Sequence, residues 1–310
     1  DIPAYEALFC SEDLSTNKEM VFYEDYDKAL GRMHNAQAML DWTTGLSRDL
    51  MEDYLVVEDG KVKRFQDIPG YETKTFTEIF ENRDPRLSQT FMIPGFVRPG
   101  NTKPHRQKIS LGGYPQVKYS PRTYDQIGWG LSYADLPVIR YAEVLLMYAE
   151  AKIELGQIDQ SVLDAINQVR ARAYGVDYTN TAAYPAVTTT DQQKLRTILR
   201  TERRVEFAKE GLRYMDLVRW KLASKALIRP NYGMLYPVDL LREKVVDKGL
   251  WFWPGIPQID EDGIPDFSAM EKAGLIAPMS QRMWNDRQYL WPIPTKEVLI
   301  NENLEQNPGY

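Results

Sequence analysis

The densest group of residues that could do chemistry is a charged stretch between Ile198 and Trp220. Glu202, Glu206 and Glu210 recur every fourth residue, so one continuous helix would place their carboxylates in a single row. Such a row repels itself unless arginines or backbone amides neutralise it, and arginines are interleaved throughout the stretch. The row could form an acid–base cluster or a partly buried ion-pair network that fixes helix packing. Apolar residues alternate with the charges, which favours the network.

Nucleophilic and metal-binding motifs are poorly represented elsewhere. His34 and His105 are far apart, and the sequence has no His-Glu-x-x-His, Cys-x-x-Cys, phosphate-loop or Gly-x-Ser-x-Gly motif. The acidic turn Asp260–Asp266 offers oxygen ligands that suit Ca²⁺, but its glycine does not stand where a hand-type loop needs it, so a solvated turn is preferred. We expect no catalytic residue, no metal site and no cofactor. A glycosidase stays open as an alternative, because it needs only two carboxylates and the chain has 44 acidic residues.

Composition limits the partners that the chain can bind. The 310 residues include 38 Lys and Arg against 44 Asp and Glu, which gives a net charge of −6. An acidic chain is a poor ligand for nucleic acid, so we expect no nucleic-acid partner. Aromatic residues are abundant, with 7 Trp, 19 Tyr and 10 Phe. Most of these must pack in a core, and the remainder can line a ligand site.

Proline and glycine divide the chain into three portions. Residues 1–138 and 230–310 are rich in these breakers, whereas residues 139–229 are predicted to form a helical scaffold. Apolar spacing predicts one helix over Ile139–Leu155, a second from Ser161 to just before Gly175, and a third from about Asp191 to Leu227. The first two would form an antiparallel pair that resembles a tetratricopeptide unit.

Finer expectations concern helix faces and the remaining elements. The first scaffold helix should bury one apolar row: Tyr141, Val144, Leu145, Tyr148, Ala149 and Ile153. Helices are also predicted over Lys28–Leu40 and Ser47–Val56, and a short final helical turn near Thr295. Three tryptophans are assigned to the core: Trp220, Trp284 and Trp291.

Several ordered blocks resemble the SusD/RagB family of outer-membrane nutrient-binding lipoproteins. The charged stretch carries that family's Glu-Arg-x-x-Glu-x-x-x-Glu-Gly-x-Arg-x-x-Asp-Leu-x-Arg-Trp pattern at residues 202–220. One block departs slightly, since Glu143 stands where the family usually has Asp. The other similar blocks are Glu81–Leu87, Arg140–Ala151, Ala165–Ala173, Leu290–Pro294 and Asn303–Tyr310.

The resemblance implies a mainly α fold, in which tetratricopeptide-like helix pairs in an α-α superhelix scaffold a loop-rich, ligand-binding part. Residues 1–138 and 230–310 would be the ligand-facing portions of one domain over residues 1–310. Family members are not enzymes. They are lipid-anchored at the bacterial cell surface and capture oligosaccharide for a SusC-like TonB-dependent transporter of the outer membrane.

The resemblance also covers only the C-terminal portion of the family. The signal peptide, the lipidated Cys and the first helix pairs belong to an N-terminal portion, which we expect as a partner of this chain. Its absence would leave apolar helix faces exposed. A glycoside hydrolase on a helical scaffold and a family member that binds peptide remain the alternative functions.

Candidate ligand-binding residues follow from aromatic side chains in loops, because a sugar ring can lie on an aromatic face while its hydroxyls bond to polar groups. Trp42 ranks first, with Asp41 beside it, in a polar loop between two predicted helices. The other candidates lie next to glycine or proline, or alternate in an extended segment: Tyr71, Phe96, Trp129, Trp251 and Trp253.

Overall fold

The computed structural model describes most of the chain. The described residues are 2–36, 45–58, 61–70, 74, 78–93, 95–104, 115–233, 258–259, 262, 265–274 and 277–310. Over these residues the protein is mainly helical, with short two-stranded sheets, which confirms the predicted mainly α class.

The helices are numbered along the chain. They are α1 (Ala4–Cys10), α2 (Arg48–Asp53), α3 (Arg86–Thr90), α4 (Tyr141–Glu154), α5 (Gln160–Ala173), α6 (Gln192–Glu206), α7 (Leu212–Arg219), α8 (Ala223–Ala226), α9 (Ser268–Lys272) and α10 (Thr295–Ile300). Short 3-10 turns occur at Phe65–Asp67, Glu78–Phe80, Tyr124–Gln126 and Asp286–Tyr289.

The strands pair two by two. They are β1 (Met20–Glu24), β2 (Val56–Glu58), β3 (Lys61–Lys63), β4 (Leu136–Arg140), β5 (Asn231–Gly233), β6 (Gln258–Ile259), β7 (Pro265–Asp266) and β8 (Ala277–Ser280). The pairs are β1 with β4, β2 with β3, β5 with β8 and β6 with β7. In the first pair, which is antiparallel, Phe22 lies opposite Ile139.

The scaffold pair predicted from apolar spacing is confirmed as α4 and α5. Gly156 ends α4 with a positive φ of 68°, a conformation that glycine adopts without a Cβ clash. Asp159 caps α5, because its carboxylate accepts the Ser161 N–H at 3.0 Å. The two helices pack against each other, and α6 packs on α4.

The third predicted helix is not continuous, so that prediction was wrong beyond Glu206. Lys209 adopts a φ of 68° and Gly211 a φ of 84°, and left-handed residues break a right-handed helix. The chain restarts as α7 at Leu212. Glu202 and Glu206 therefore share a row on α6, whereas Glu210 lies outside it.

The predicted helix over Lys28–Leu40 was also wrong for the described residues 28–36, which form turns. Asp27 Oδ1 accepts the N–H groups of Ala29 and Leu30 at 2.6 and 3.1 Å. The backbone of Asp27 also forms an isolated antiparallel β-bridge with the backbone of Arg32. These local bonds compete with a helix. The second predicted N-terminal helix is confirmed but shorter, as α2, and the final turn is confirmed as α10.

Burial corrects two expectations about side chains. On α4 the buried row is Ala142, Leu146, Ala149, Glu150 and Ile153, whereas Tyr141, Val144 and Tyr148 are exposed and Leu145 is half-buried. The reason is that α4 is apolar on both sides, so the spacing of apolar residues alone does not decide which side is buried. Trp291 is exposed rather than in the core, and Trp220 and Trp284 are half-buried.

The chain divides into two compact units. The first comprises Asp1–Glu206 and Gly233–Ala277, and the second Phe207–Tyr232 and Pro278–Tyr310. The core of the first unit contains these buried side chains: Leu46, Met51, Tyr54, Val56, Phe65, Ile68, Ile79, Leu87, Phe91 and Val205. In the second unit the Tyr289 hydroxyl donates to Ser224 Oγ at 3.0 Å.

Buried Arg83 crosses the first unit's core and satisfies backbone carbonyls there. Its guanidinium donates to the carbonyls of Met51, Tyr54 and Ile79 at 2.6–3.2 Å, and it stacks 4.3 Å from the centroid of Phe65. Carbonyls at the ends of short helices have no intrahelical partner, so Arg83 supplies the missing donors.

Candidate functional site

Glu202 and Glu206 of α6 belong to a buried ion-pair cluster in the first unit. Its members are Arg86, Arg140, Arg170 and Arg172 with Glu19, Asp84, Glu202 and Glu206. Four guanidinium groups thus face four carboxylates, and their charges balance.

Glu206 is at the centre of this cluster. Its side chain is 0% exposed and contacts Arg86 at 2.9 Å, Arg140 at 2.8 Å and also Arg172. Arg86 in turn contacts Asp84 at 2.7 Å and Glu202 at 2.8 Å. Arg86 begins α3, Arg140 ends β4, Arg172 lies on α5, and the two glutamates lie on α6. The favoured network interpretation is therefore confirmed.

The cluster keeps its carboxylates charged. Burial by itself would raise the pKa of Glu206, but Arg172, Arg140 and Arg86 hold that pKa far below its usual range. Burial opposes ionisation of Asp84 as well, yet the Arg86 guanidinium lowers the pKa of Asp84. Both groups bind protons more weakly in the folded chain than in the unfolded chain.

A depressed pKa makes stability depend on pH. The stabilisation by Glu206 and Asp84 is complete above their unfolded-state pKa values of about 4 and is lost as pH falls towards the folded-state values. We expect unfolding free energies measured in urea to fall below about pH 4, with each carboxyl contributing up to about 1.4 kcal/mol per pH unit. In Glu206→Gln this slope should be shallower. An equal slope in both proteins would contradict the assignment.

The structure describes two of the seven candidate ligand-binding residues. Trp129 is exposed, and Phe96 is half-buried, with its N–H bonded to the Ile93 carbonyl at 3.2 Å. The remaining candidates lie outside the described residues: Asp41, Trp42, Tyr71, Trp251 and Trp253.

Trp129 lies in a loop that presents a second aromatic ring. Trp129 and Tyr124 are each 69% exposed, although large aromatic side chains usually pack inside. Gly100 makes room for Tyr124, since a Cβ at Gly100 would lie 2.6 Å from the ring. Gly130 has a φ of 70° and donates its N–H to the Asn35 side chain. The backbone next to Trp129 is thus fixed while its ring stays exposed.

Polar groups accompany these rings. The Asp125 carboxylate accepts from Lys28 Nζ at 2.7 Å and from the Tyr133 hydroxyl at 3.1 Å. The hydrogen bond from Lys28 lowers the pKa of Asp125 to about 2, so Asp125 is ionised at neutral pH. We call the segment from Tyr124 to Tyr133, together with Lys28, the Trp129 loop surface. Sequence reasoning missed Tyr124, although a Tyr-Asp pair in a proline- and glycine-rich segment was a signal.

A buried glutamine, Gln126, braces the Trp129 loop surface from beneath. Gln126 Nε2 donates to Glu12 Oε1 at 2.7 Å and to Thr123 Oγ1 at 3.0 Å. Gln126 Oε1 accepts the Tyr133 N–H at 3.2 Å. Both the Nε2 and the Oε1 of Gln126 therefore have hydrogen-bond partners, and the side chain links Thr123, just before the loop, to Tyr133 at its end.

The described residues favour neither a histidine-based nor a metal-based site. His34 Nδ1 accepts the Ala36 N–H at 3.0 Å, and His34 Nε2 lies 2.8 Å from the Ala134 carbonyl. Burial lowers the pKa of His34, which fits a neutral ring that donates through Nε2. Among the described residues, no group of three or more His, Cys, Asp or Glu side chains could hold a metal ion. From the acidic turn, Asp262 pairs with Arg200 at 2.8 Å.

Within the described ranges, none of the helices combines the length and the apolar character needed to cross a bilayer.

Known proteins are similar to this chain in sequence. The SusD family matches residues 16–310. SusD-like protein P2 of Formosa agariphila is 24% identical over 314 aligned positions, which are 99% of this chain and 52% of that protein. SusD-like protein P38 of the same organism is 29% identical over 147 residues, 47% of this chain and 26% of P38. The chain therefore spans about half or less of each curated relative.

Solved structures of SusD-like proteins superpose on this chain. A SusD-like carbohydrate-binding protein from Bacteroides fragilis NCTC 9343 superposes with a TM-score of 0.67 at 28% identity, over 97% of this chain and 57% of that one. A second SusD-like protein from the same strain has a TM-score of 0.62 at 22% identity, over 99% of this chain and 57% of that one, and shows the fold alone. The fold predicted from the sequence blocks is confirmed as SusD-like, and the chain belongs to the SusD family.

Proposed function

We propose that the chain acts in a non-catalytic, cell-surface protein that binds oligosaccharide. The observation that carries this proposal is the family match over residues 16–310 together with 28% identity to a structure described as carbohydrate-binding. The Trp129 loop surface supports it, because exposed aromatic rings beside hydrogen-bonding groups suit a neutral sugar.

The lowered pKa values of several described carboxyl groups support a binding role. A glycosidase needs a carboxylic acid whose pKa is raised so that it can protonate the leaving oxygen. Several described carboxyl groups have a lowered rather than a raised pKa: Asp13, Asp84, Asp125, Glu154, Asp159, Asp177 and Glu206.

We further propose that the whole protein is lipid-anchored in the outer membrane through a segment outside this chain. There it would deliver oligosaccharide to a SusC-like TonB-dependent transporter. The family to which the chain belongs supports this proposal. Co-purification of the transporter with the intact protein from outer membranes would support the partnership, and its absence from every such preparation would contradict it.

Calorimetry against a panel of neutral oligosaccharides, with product release assayed in the same samples, tests the proposed function. We expect saturable binding of at least one oligosaccharide without release of shorter sugars. Release of shorter sugars would contradict the non-catalytic role. Binding of peptides but of no sugar would contradict the ligand class.

Replacing Trp129 by Ala should weaken oligosaccharide binding if the ring stacks on the ligand. A stacked aromatic contributes about 1–3 kcal/mol, so we expect the dissociation constant to rise roughly 5- to 150-fold. Calorimetry measures this change. Trp291→Ala is the matched control, since Trp291 is also exposed but lies in the second unit. Equal affinities in wild type and Trp129→Ala would remove Trp129 from the site.

A further inference from the structure

An exposed ion pair lies beside the aromatic rings of the Trp129 loop surface. Asp125 directly follows Tyr124, and its carboxylate accepts from Lys28 Nζ at 2.7 Å and from the Tyr133 hydroxyl at 3.1 Å. The Lys28 ammonium also lies 5.5 Å from the centroid of the Tyr133 ring. The side chains of Lys28 and Asp125 are 58% and 45% exposed, so both stay within reach of a ligand on this surface.

The backbone holds the two partners of this ion pair together. Lys28 and Asp125 are 97 residues apart in the sequence. An antiparallel bridge between His34 and Ser132 joins the two segments that carry them. The pair is therefore formed between connected backbones before a ligand arrives, which lowers the ordering cost of recognising one.

The other charges around this surface are close to balance. Arg32 contacts Asp25 at 2.7 Å, so these two neutralise each other. Gly100 packs against the Tyr124 ring and brings a third segment, 98–103, to the surface. The charged residues that remain on segments 24–35, 98–103 and 124–135, apart from the Lys28–Asp125 pair, are Glu24, Asp27, Asp135, Arg98 and Lys103. Three carboxylates and two cations nearly cancel, so the Lys28–Asp125 pair determines the charge nearest the rings.

We propose that Asp125 makes the Trp129 loop surface selective for uncharged over acidic oligosaccharides. The inference rests on the proposed function and names the class of sugar that this surface accepts. The Asp125 carboxylate repels a uronate or sulfate group, and it neutralises the Lys28 ammonium, which would otherwise attract such a group. Asp125 is ionised at neutral pH, because the hydrogen bond from Lys28 lowers its pKa to about 2. An uncharged sugar is affected by neither charge effect.

A matched pair of ligands tests this selectivity. Calorimetry at low ionic strength first identifies which of maltohexaose, cellohexaose, laminarihexaose and mannohexaose binds, and then measures the same sugar with its primary hydroxyls oxidised to carboxylates. We expect the oxidised form to bind at least about 5-fold more weakly, the effect of one unit charge about 4 Å away in water. In about 1 M salt, where the Debye length is about 3 Å, the two affinities should converge.

Variants test whether Asp125 causes the selectivity. Asp125→Asn keeps the side-chain shape but leaves Lys28 without its counter-charge, so the affinity ratio should shift about 5-fold or more towards the oxidised form. Adding Lys28→Met should remove most of that gain. Glu154→Gln is the matched control, because it removes an equal charge from an exposed arginine pair on α4 and should leave the ratio unchanged. A general loss of stability would not move this ratio in one direction.

The outcomes separate this inference from the proposed function. Equal binding of both forms by the wild type at low ionic strength, or tighter binding of the oxidised form, would overturn the selectivity and leave the oligosaccharide-binding role intact. An unchanged affinity ratio in Asp125→Asn would show that Asp125 is not its cause. Binding of neither form of any of the four sugars would contradict the proposed function, and the inference with it.

Discussion

Glu206→Gln is expected to lower the free energy of unfolding by about 3–5 kcal/mol, the range for breaking a buried ion pair from one side. Glutamine has nearly the same shape but no charge, so Arg86, Arg140 and Arg172 would lose a shared counter-charge that they contact within 3 Å. The four guanidinium groups of the cluster would then face three carboxylates and one amide, with an excess positive charge in a buried site. Urea denaturation at neutral pH measures the loss.

The matched control is Glu154→Gln, which also removes a carboxylate from an arginine pair. Glu154 contacts Arg196 at 2.7 Å, but both side chains are substantially exposed, and such pairs contribute about 0–1 kcal/mol. We therefore expect Glu206→Gln to be several times more destabilising than Glu154→Gln. Similar losses in the two variants would show that the buried cluster does not determine stability at this position.

The cluster joins segments that are far apart in the sequence. Arg86 lies 120 residues before Glu206, and Glu19 lies 121 residues before Arg140. An apolar cluster of equal volume could stabilise the fold as well, so the benefit of charges lies in fixing which segments meet. The sequence could predict that the carboxylates of α6 needed arginine partners. It could not predict which arginines, because these come from other elements.

Local signals predicted the scaffold helices well. Asp159 caps α5 and Gly156 ends α4, and each effect acts within a few residues. The break after α6 was harder to predict, since Lys209 takes a left-handed conformation that glycine usually adopts. Gly211 is the local signal for the break, but the apolar spacing continues across it and predicts a single helix.

The buried face of α4 was mispredicted for a different reason. Apolar residues occupy both sides of the helix, so periodicity could not decide which side faces α5 and α6. Small Ala142 and Ala149 lie on the buried side and allow close helix approach, whereas Tyr141 and Tyr148 lie on the exposed side. The choice of face depends on tertiary contacts that a single sequence does not contain.

The candidate site was partly predictable. Trp129 stands between two glycines, where no helix or strand could bury it, and the structure exposes it. Tyr124 follows a proline segment, and its ring lies close to Gly100, which is 24 residues earlier in the chain. That kind of long-range contact explains why Tyr124 was missed.

Phe9→Ala is expected to destabilise the first unit by about 3–5 kcal/mol, because it deletes a buried aromatic ring and leaves a cavity. Phe9 of α1 packs edge-on against Tyr5 at 5.2 Å and Tyr119 at 5.1 Å between ring centroids. Lys118 Nζ lies 4.0 Å from the Phe9 centroid, so the ring also offsets a buried ammonium charge. Thermal and urea denaturation measure the loss.

Phe22→Ala is the matched control, since Phe22 is exposed in this chain and its loss should cost no more than about 0.5 kcal/mol. Phe9→Leu separates the two roles of the ring. Leucine fills much of the volume but has no aromatic face, so a loss well below that of Phe9→Ala would assign the larger share to packing. If Phe9→Leu and Phe9→Ala are equally destabilising, the contact with Lys118 carries the effect instead.

The two large effects should also depend on each other, because α1 reaches the charge cluster. The Tyr5 hydroxyl donates to the Glu206 carbonyl at 2.8 Å, and the Arg140 guanidinium lies 5.4 Å from the Phe9 centroid. Residues that share partners in this way usually couple by about 0.5–3 kcal/mol in a double-mutant cycle. The combination of Phe9→Ala with Glu206→Gln should therefore depart from the sum of the two single losses. Strict additivity would mean that α1 and the charge cluster stabilise the first unit independently.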